Sequence, residues 1–595
     1  MIARTRILLA IMLTILSIFV GRLIYLQLAQ AEAFDRLSVA NFLEERRISP
    51  LRGRILARDG TIIADSRVAY DLMYLGGDLY HSTRLGALLD IQIVSSEPDP
   101  TLFEDRRQGI VLAWNIEDPL VAAVEELVAG QENLYLRKRI ERVYPTNLAA
   151  QVIGYTTAAD PERFPGYVNE ELVGVMGIEA GLEANLFGTP GLRRVELNNR
   201  RSILRTQVVL PAVPGADITL TIDPTLQRIA EDVLIGALNY INSDRELVGL
   251  PFVDTVRGAL IALDPRSGEI LAMASSPSFD QNLFTKRPIE SQTIDPVLRD
   301  KENVPLSNRA VQAYAPASTF KVVAGSALLE HGYVGPNTVF PCSPRLSLGG
   351  RTWENWAAYH KGGYTVREAL ADSCNTYFWH AAASTPEVLN GWGPFIEDLV
   401  DRAYQLGFGK PVGLGLDEEK AGRIPDRVWA DQNYEYGWVP GFTLNTMIGQ
   451  GDLLATPIQV VQMMATIAMD GWNVTPQLVF KVGERRIPAE AKVIPGRYWG
   501  TLQEGMRMMF TDYPARDLMG PKVFPISVAG KTGTAETSKG SDYTHAWFTG
   551  YGPIDDPDLA LVVFIEHGGS GSRVAVPVAR DFMTSYWGIE EVQSQ

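Results

Sequence analysis

The chain is 595 residues long and carries 54 Lys and Arg against 70 Asp and Glu, a formal net charge of −16. That length asks for two or three domains rather than one core, and an acidic chain with no Lys/Arg-rich run is poorly matched to a phosphate backbone, which speaks against nucleic acid as a partner. Its two cysteines, Cys342 and Cys374, are too few for a disulfide framework and lack zinc-site spacing, so only one bridge between them stays open.

An unbroken apolar run, Ile7 to Val20, follows Arg4 and Arg6 and resumes after Gly21 and Arg22 as Leu23-Ile24-Tyr25-Leu26. As one helix, Ile7 to Leu28 would extend roughly 33 Å, enough to cross a bilayer, with Arg22 snorkelling toward the outer interface. Ala29-Gln30-Ala31 looks like a signal-peptide cleavage site, but Arg22, Tyr25 and Leu26 would make an unusually long and bulky stretch ahead of it, so an uncleaved anchor is preferred. The leading arginines place the N-terminus in the cytoplasm and the bulk of the chain outside.

Leu37 to Arg47 reads as a polar helical stalk, followed by a hairpin in which Asp59-Gly60 turns between two β-branched runs. From there to about Val208 the pattern is mixed α/β, with helices predicted over Pro119 to Ala129 and near Ile178 to Leu186. Pro211 to Gly215 reads as a linker. Asp217 to Asp223 alternates as a strand and leads into a helix from Leu226 to about Ala237, capped by Asp223 or Thr225. Gly258 to Leu263 and Ile270 to Ala274 are strands joined by a hairpin turn at Asp264 to Gly268, and three late strands fall near Ser527 to Thr532, His545 to Tyr551 and Leu559 to Ile565. The division expected is an anchor over residues 1–30, a pedestal over 31–210 and a larger domain over 211–595.

Chemistry concentrates in three short segments. Ala315-Pro316-Ala317-Ser318-Thr319-Phe320-Lys321 puts a serine just inside a helix start and a lysine three positions later, on the same helical face. There the serine sits among free N–H groups at the positive end of the helix dipole, and a neutral Lys321 could take its proton, provided burial or a neighbouring cation lowers its pKa. Alone the signal is weak, because S-x-x-K should occur roughly twice by chance in a chain this long. Ser373-Cys374-Asn375 after the helical stretch Val366 to Asp372 adds a hydroxyl for proton relay and an amide for holding substrate. Lys531-Thr532-Gly533-Thr534 ends a strand that begins near Ile526: the ammonium attracts a carboxylate, the Thr532 and Thr534 hydroxyls can bond it, and Gly533 lets substrate backbone lie close. K-T-G should arise by chance in only about one such chain in seven, so the three together are poorly explained by coincidence.

These motifs resemble those of the penicillin-binding protein and serine β-lactamase superfamily, and their setting is similar to class B penicillin-binding proteins, the monofunctional transpeptidases. Further stretches that resemble that class are Arg52-Gly53-Arg54-Ile55, Gly177-Ile178-Glu179 with Leu186 to Gly191, Asn308-Arg309-Ala310, Gly449-Gln450-Gly451 with Thr456-Pro457, and Ala546 to Tyr551. One departure is Ala317, where a glycine often precedes the nucleophile; as alanine suits a helix start, little consequence is expected. The pedestal matches only at scattered points.

The resemblance implies an α/β (α+β) fold: an antiparallel sheet of about five strands flanked by helices, with the site between the sheet's edge strand and a helical subdomain, behind an elongated mixed α/β pedestal and one N-terminal transmembrane helix. It implies that Ser318 attacks the penultimate D-Ala carbonyl of a peptidoglycan stem peptide with Lys321 as base, and that the backbone N–H groups of Ser318 and Thr534 form the oxyanion hole. Ser373 would pass a proton to the leaving D-Ala, Asn375 would orient the donor, and Lys531, Thr532 and Thr534 would hold the terminal carboxylate, after which an acceptor amine takes the acyl group. The implied partners are stem peptides and glycan strands, β-lactams as inhibitors, the membrane, and a polytopic SEDS-type glycosyltransferase; no cofactor or metal is implied.

Other residues keep structural readings. His545 and His567 lie in or beside late strands, and Trp353, Trp356, Trp392, Trp438 and Trp547 read as packing residues and loop anchors. Glu536 reads as structural, and Cys374 as a small buried filler. A bifunctional class A enzyme would need a glycosyltransferase domain whose motifs are not recognisable in residues 46 to 210. A β-lactamase usually lacks a long pedestal and a permanent anchor, and a non-catalytic receptor has no need of Ser318 and Lys321 together.

Overall fold

Helix α1, Ile2–Ile24, continues into a π-helical turn, Tyr25–Ala29. Its stretch Leu9–Gln27 is long and apolar enough to cross a membrane, and none of it is buried against protein. The structure, a computed structural model, describes residues 2–30, 43–75, 82–90, 109–131, 133–169, 171–197, 203–243, 257–384, 395–513 and 515–589. By its contacts the chain divides into two units: Met1–Arg52, Val68–Arg139 and Phe187–Gly215 form one, and Gly53–Arg67, Ile140–Leu186 and Ala216–Gln595 the other.

In the first unit, strand Leu43–Ile48 pairs antiparallel with Gly191–Leu197, which pairs in turn with Ile203–Leu210. The expected helical stalk is therefore wrong over Leu43 to Arg47, and residues 37–42 lie outside the described part. Glu- and Arg-rich runs favour helix only weakly, and here ladder pairing wins, with Arg194 bonded across to Glu45 at 2.9 Å. A separate core gathers Leu72, Tyr74, Leu85, Val124, Val128 and Leu134 and includes helix Asp118–Val128, where it was predicted. Buried Asp71 is held by Arg137 at 3.0 Å and Arg139 at 3.2 Å.

In the second unit the predicted hairpin forms, with Ile55 opposite Ala64. Ile218–Leu220 runs parallel to Ile55–Leu56 and antiparallel to Val479–Val482. Helix α2, Pro224–Ser243, starts where the Asp223 carboxylate accepts from the N–H groups of Thr225 and Leu226 at 2.9 and 3.1 Å, a side-chain cap for otherwise orphaned donors. It runs past the predicted end and buries Ala230, Leu234, Leu238 and Ile241, one helical stripe.

The main sheet has strands β1 (Gly258–Leu263), β2 (Ile270–Ser276), β3 (Ala529–Thr537), β4 (Gly540–Gly552) and β5 (Leu559–Ile565), in the spatial order β2-β1-β5-β4-β3 and antiparallel throughout. Central β1 and β5 are buried along their whole length, so apolar side chains of both parities are used. Ala259, Ile261, Val562 and Phe564 face one core, shared with helices α3 (Lys321–Glu330), α4 (Val366–Ala371), α5 (Asn375–Ala383), α6 (Pro457–Ala468) and α7 (Trp499–Thr511). Leu260, Ala262, Leu561 and Val563 face the other, shared with α2 and helix α8, Val576–Tyr586. Every residue of α6 is buried, and Thr456 opens it with a capping box to Gln459. Strand β3 is left at the edge, and among the described residues no strand pairs with its other side.

Candidate active site

The chain reaches Ser318 through a run of backbone ties. Tyr314 exchanges two bonds with Ala455, and the Ala317 N–H donates to the Gly449 carbonyl at 2.9 Å. Ala317 through Phe320 form a 3₁₀ turn that passes directly into α3. In that turn Ser318 is half-buried while Ala317, Thr319 and Phe320 are buried, so it is the hydroxyl with access to solvent. Ala317 sits at φ +51, the left-handed region that costs a residue with a β-carbon about 1–2 kcal/mol. Alanine's fitness for a helix start does not ease this position, which favours glycine for its left-handed backbone. Gly449 has the matching constraint, since a β-carbon on it would collide with the Ala317 carbonyl.

Lys321 is completely buried at the start of α3. Its Nζ lies 2.6 Å from the Ser373 carbonyl, 2.5 Å from Asn375 Oδ1 and 3.3 Å from Ser373 Oγ. Burial first, and then Lys531, push its pKa well below the usual lysine range, with Asp372 opposing. The surroundings suit the neutral amine: its two N–H donors satisfy two carbonyl oxygens, and its lone pair is left for a hydroxyl.

Lys531 lies on edge strand β3, also fully buried, with Nζ donating to the Thr532 carbonyl at 3.0 Å. Burial lowers its pKa to about 7 against the pull of Asp372. Thr532 is half-buried and Thr534 exposed; the Thr534 hydroxyl accepts from the Gly571 N–H at 3.3 Å, and its carbonyl from Gln450 Nε2 at 3.4 Å. A β-carbon on Gly533 would press on Trp547 Cβ, the Pro316 carbonyl and Thr319 Cγ2 at 3.1 to 3.3 Å. Glycine there lets the turn that carries Ser318 pack against the strand. Ser318, Lys321, Ser373, Asn375 and Lys531 thus belong to one compact unit, with Lys531 near enough to disfavour the charge on Lys321.

Residues 258–584 match the family described as the penicillin binding protein transpeptidase domain, and residues 47–220 the penicillin-binding protein dimerisation domain. The chain belongs to the penicillin-binding protein transpeptidase family. It is an enzyme of the peptidoglycan D,D-transpeptidase type. The peptidoglycan D,D-transpeptidase MrdA of Haemophilus influenzae is 30% identical, over 94% of this chain and 88% of the relative; the protein of that name in Escherichia coli K12 is 27% identical, over 94% and 90%. A solved chain from work on "Structural coordination of polymerization and crosslinking by a peptidoglycan synthase complex" is 43% identical with a TM-score of 0.80, covering 100% of both. Pseudomonas aeruginosa PBP2 in complex with WCK 5153 is 27% identical, TM-score 0.67, over 92% of this chain and 97% of that one.

In this penicillin-binding protein the Ser373 segment is shaped by the end of α4. The Cys374 N–H donates to the Ala369 carbonyl at 3.0 Å and the Ser373 N–H to Leu370 at 3.3 Å, and Ser373 itself has φ +57. That is a Schellman ending with serine in the seat that usually takes glycine. Ser373→Gly is expected to raise stability by about 1 kcal/mol while lowering transpeptidation, checked by thermal denaturation beside a cross-linking assay.

Asp372 lies outside the three sequence motifs yet belongs to the site. Its buried carboxylate accepts from Lys361 at 2.7 and 2.9 Å and from the Tyr364 hydroxyl at 2.8 Å, and it is the anion that opposes the lowering of both Lys321 and Lys531. Its position next to Ser373 was the available signal. Cys374 is no simple filler either: it forms a disulfide with Cys342, 32 residues away, at a Cα–Cα distance of 6.0 Å.

His545, His567, Trp547, Trp438 and Trp353 serve packing. His545 and His567 stack at 5.1 Å, the His545 Nδ1 accepts the His567 N–H, and burial holds His545 down at about 4. Trp547 is buried against Phe564, Trp438 donates to Thr443 Oγ1 at 2.9 Å, and Trp353 packs beside Gly441. Exposed Trp356 carries the Lys361 ammonium 4.2 Å above its ring, Glu536 is exposed, and Trp392 lies outside the described residues.

Proposed function

We propose that this enzyme cross-links peptidoglycan through an acyl-enzyme on Ser318. Neutral Lys321 takes the Ser318 hydroxyl proton as the oxygen attacks the carbonyl of the penultimate D-Ala, and the backbone N–H groups of Ser318 and Thr534 receive the oxyanion. As the tetrahedral intermediate collapses, the terminal D-Ala leaves with a proton relayed through Ser373 and Lys321. An amine from a second stem then attacks the ester, loses its proton by the same relay, and frees Ser318. Asn375 orients the donor, while Lys531 with Thr532 and Thr534 holds its terminal carboxylate. Gly533 keeps the nucleophile's turn close, and the outer edge of β3 suits an extended peptide laid alongside it.

The observation that carries this reading is the buried Lys321 amine, three residues after Ser318 and within 3.3 Å of Ser373 Oγ. Labelling with fluorescent penicillin tests it: wild type should label and Ser318→Ala should not, and equal labelling would refute it. The rest of the reading is an anchor over residues 1–30 with its N-terminus in the cytoplasm, a pedestal over 31–210 and a transpeptidase domain over 211–595, with stem peptides and glycan strands as substrate and β-lactams as inhibitors. Similarity to a chain from a peptidoglycan synthase complex supports a polytopic SEDS-type glycosyltransferase as partner, met through anchor and pedestal.

A further inference from the structure

The segment that carries Ser373 and Asn375 is gripped along its whole length by one stretch of chain, residues 340–364. Phe340–Pro341 pairs antiparallel with Gly363–Tyr364, and the Cys342 backbone is tied to residues 361 and 362 by bonds of 3.0 and 2.8 Å. From this ribbon Lys361 and Tyr364 hold Asp372, just before Ser373. Cys342 is bonded to Cys374, between the two motif residues, and both cysteines are fully buried. Asn355, buried, accepts the Asn375 N–H on its Oδ1 at 3.2 Å and anchors itself by donating to the Ser343 carbonyl at 3.1 Å. Thr376 closes the row, its hydroxyl donating to the Ser343 carbonyl at 3.0 Å and accepting the Ser343 N–H at 3.0 Å.

A serine held in the left-handed region relaxes unless its surroundings over-determine it, and Lys321 can act only while Ser373 and Asn375 stay where its amine points. We infer that the Cys342–Cys374 disulfide and Asn355 are positioning elements for the Ser373–Asn375 segment, without which Ser318 binds its acyl donor but is acylated slowly. Neither touches substrate; each acts by fixing the partners of Lys321. The inference rests on the transpeptidase reading of that site.

The test uses the full-length protein in detergent and a fluorescent penicillin over a range of concentrations, separating the half-saturating concentration from the limiting acylation rate at each variant's optimal pH. Cys342→Ala is expected to lower the limiting rate by about 10- to 100-fold, the scale of an ångström-size misplacement, with the half-saturating concentration nearly unchanged and one cooperative thermal transition retained. Asn355→Leu is expected to fall by about 10-fold, and Asn355→Asp, which keeps the acceptor for the Asn375 N–H, to recover most of it. Wild-type limiting rates in folded Cys342→Ala and Asn355→Leu would overturn the inference, as would a loss that Asn355→Asp shares in full. If Cys342→Ala does not fold, the two Asn355 variants decide. Ser318→Ala reports separately on the transpeptidase reading: labelling of that variant sinks the reading, whereas the positioning role is read from variant-to-wild-type ratios.

Discussion

Replacing Lys321 with methionine, similar in length and apolar, is expected to slow acylation of Ser318 by about two to four orders of magnitude, the usual worth of a positioned base. The side chain is enclosed beside Phe378, so the variant keeps its packing and loses only the amine. Stability should move the other way. Lys321 and Lys531 are both held below the ordinary lysine value, Lys531 at about 7 against 10.5, so between those values the unfolded chain binds more protons than the folded one. Stability therefore climbs as pH rises from about 7 toward 10.5, and is lowest, for these groups, where both states are protonated. Lys531→Met should flatten that climb and melt higher than wild type at neutral pH. Stopped-flow acylation and melting curves between pH 6 and 10 (roughly the window spanned by the two pKa values) check both halves; a Lys321→Met variant that acylates like wild type would contradict the assignment.

The second large effect concerns stability alone. Arg142 and Glu179 are both fully buried and joined at 2.7 Å, and Arg142 also donates to the Gly53 carbonyl at 2.8 Å. Tyr144 adds its hydroxyl to Glu179 at 3.3 Å and accepts the Thr156 N–H at 3.1 Å. Arg142→Met strips a guanidinium from a buried carboxylate, and removing one half of such a pair typically costs about 3–5 kcal/mol. Denaturant titration should show that loss, while the acylation rate per folded molecule stays unchanged. Because the desolvation cost goes with both charges, Arg142→Met/Glu179→Leu should lose less than the single variant.

Much of the site was legible before any coordinates. Ser318 to Lys321 and Lys531 to Thr534 are contiguous, and their local helix and strand dictate where side chains point, so spacing marked the segments while the resemblance supplied the expectation that they meet. The sheet was legible for the same reason: β1 and β5 are short, wholly apolar runs bounded by turns. What escaped was set by partners distant in the chain. Leu43 to Arg47 became strand because Gly191–Leu197 pairs with it, and nothing in Glu-Glu-Arg-Arg announces that. Asp372 looked like the end of a helix because Lys361 and Tyr364 reach it only once the ribbon folds back, and a separation of 32 residues says nothing about whether two sulfurs meet. Ala317 misled by type: alanine suggests regular helix, whereas its ties to Gly449 set the backbone.

The left-handed serine at the end of α4 bears on how this enzyme can evolve. On the proposed roles, relaxing that turn with glycine, or filling either lysine's enclosure with hydrocarbon, is expected to give a sturdier molecule with slower transpeptidation. Directed evolution for heat tolerance alone should therefore enrich impaired enzyme, and a screen that also demands transpeptidation is expected to hold positions 321, 373 and 531 in place.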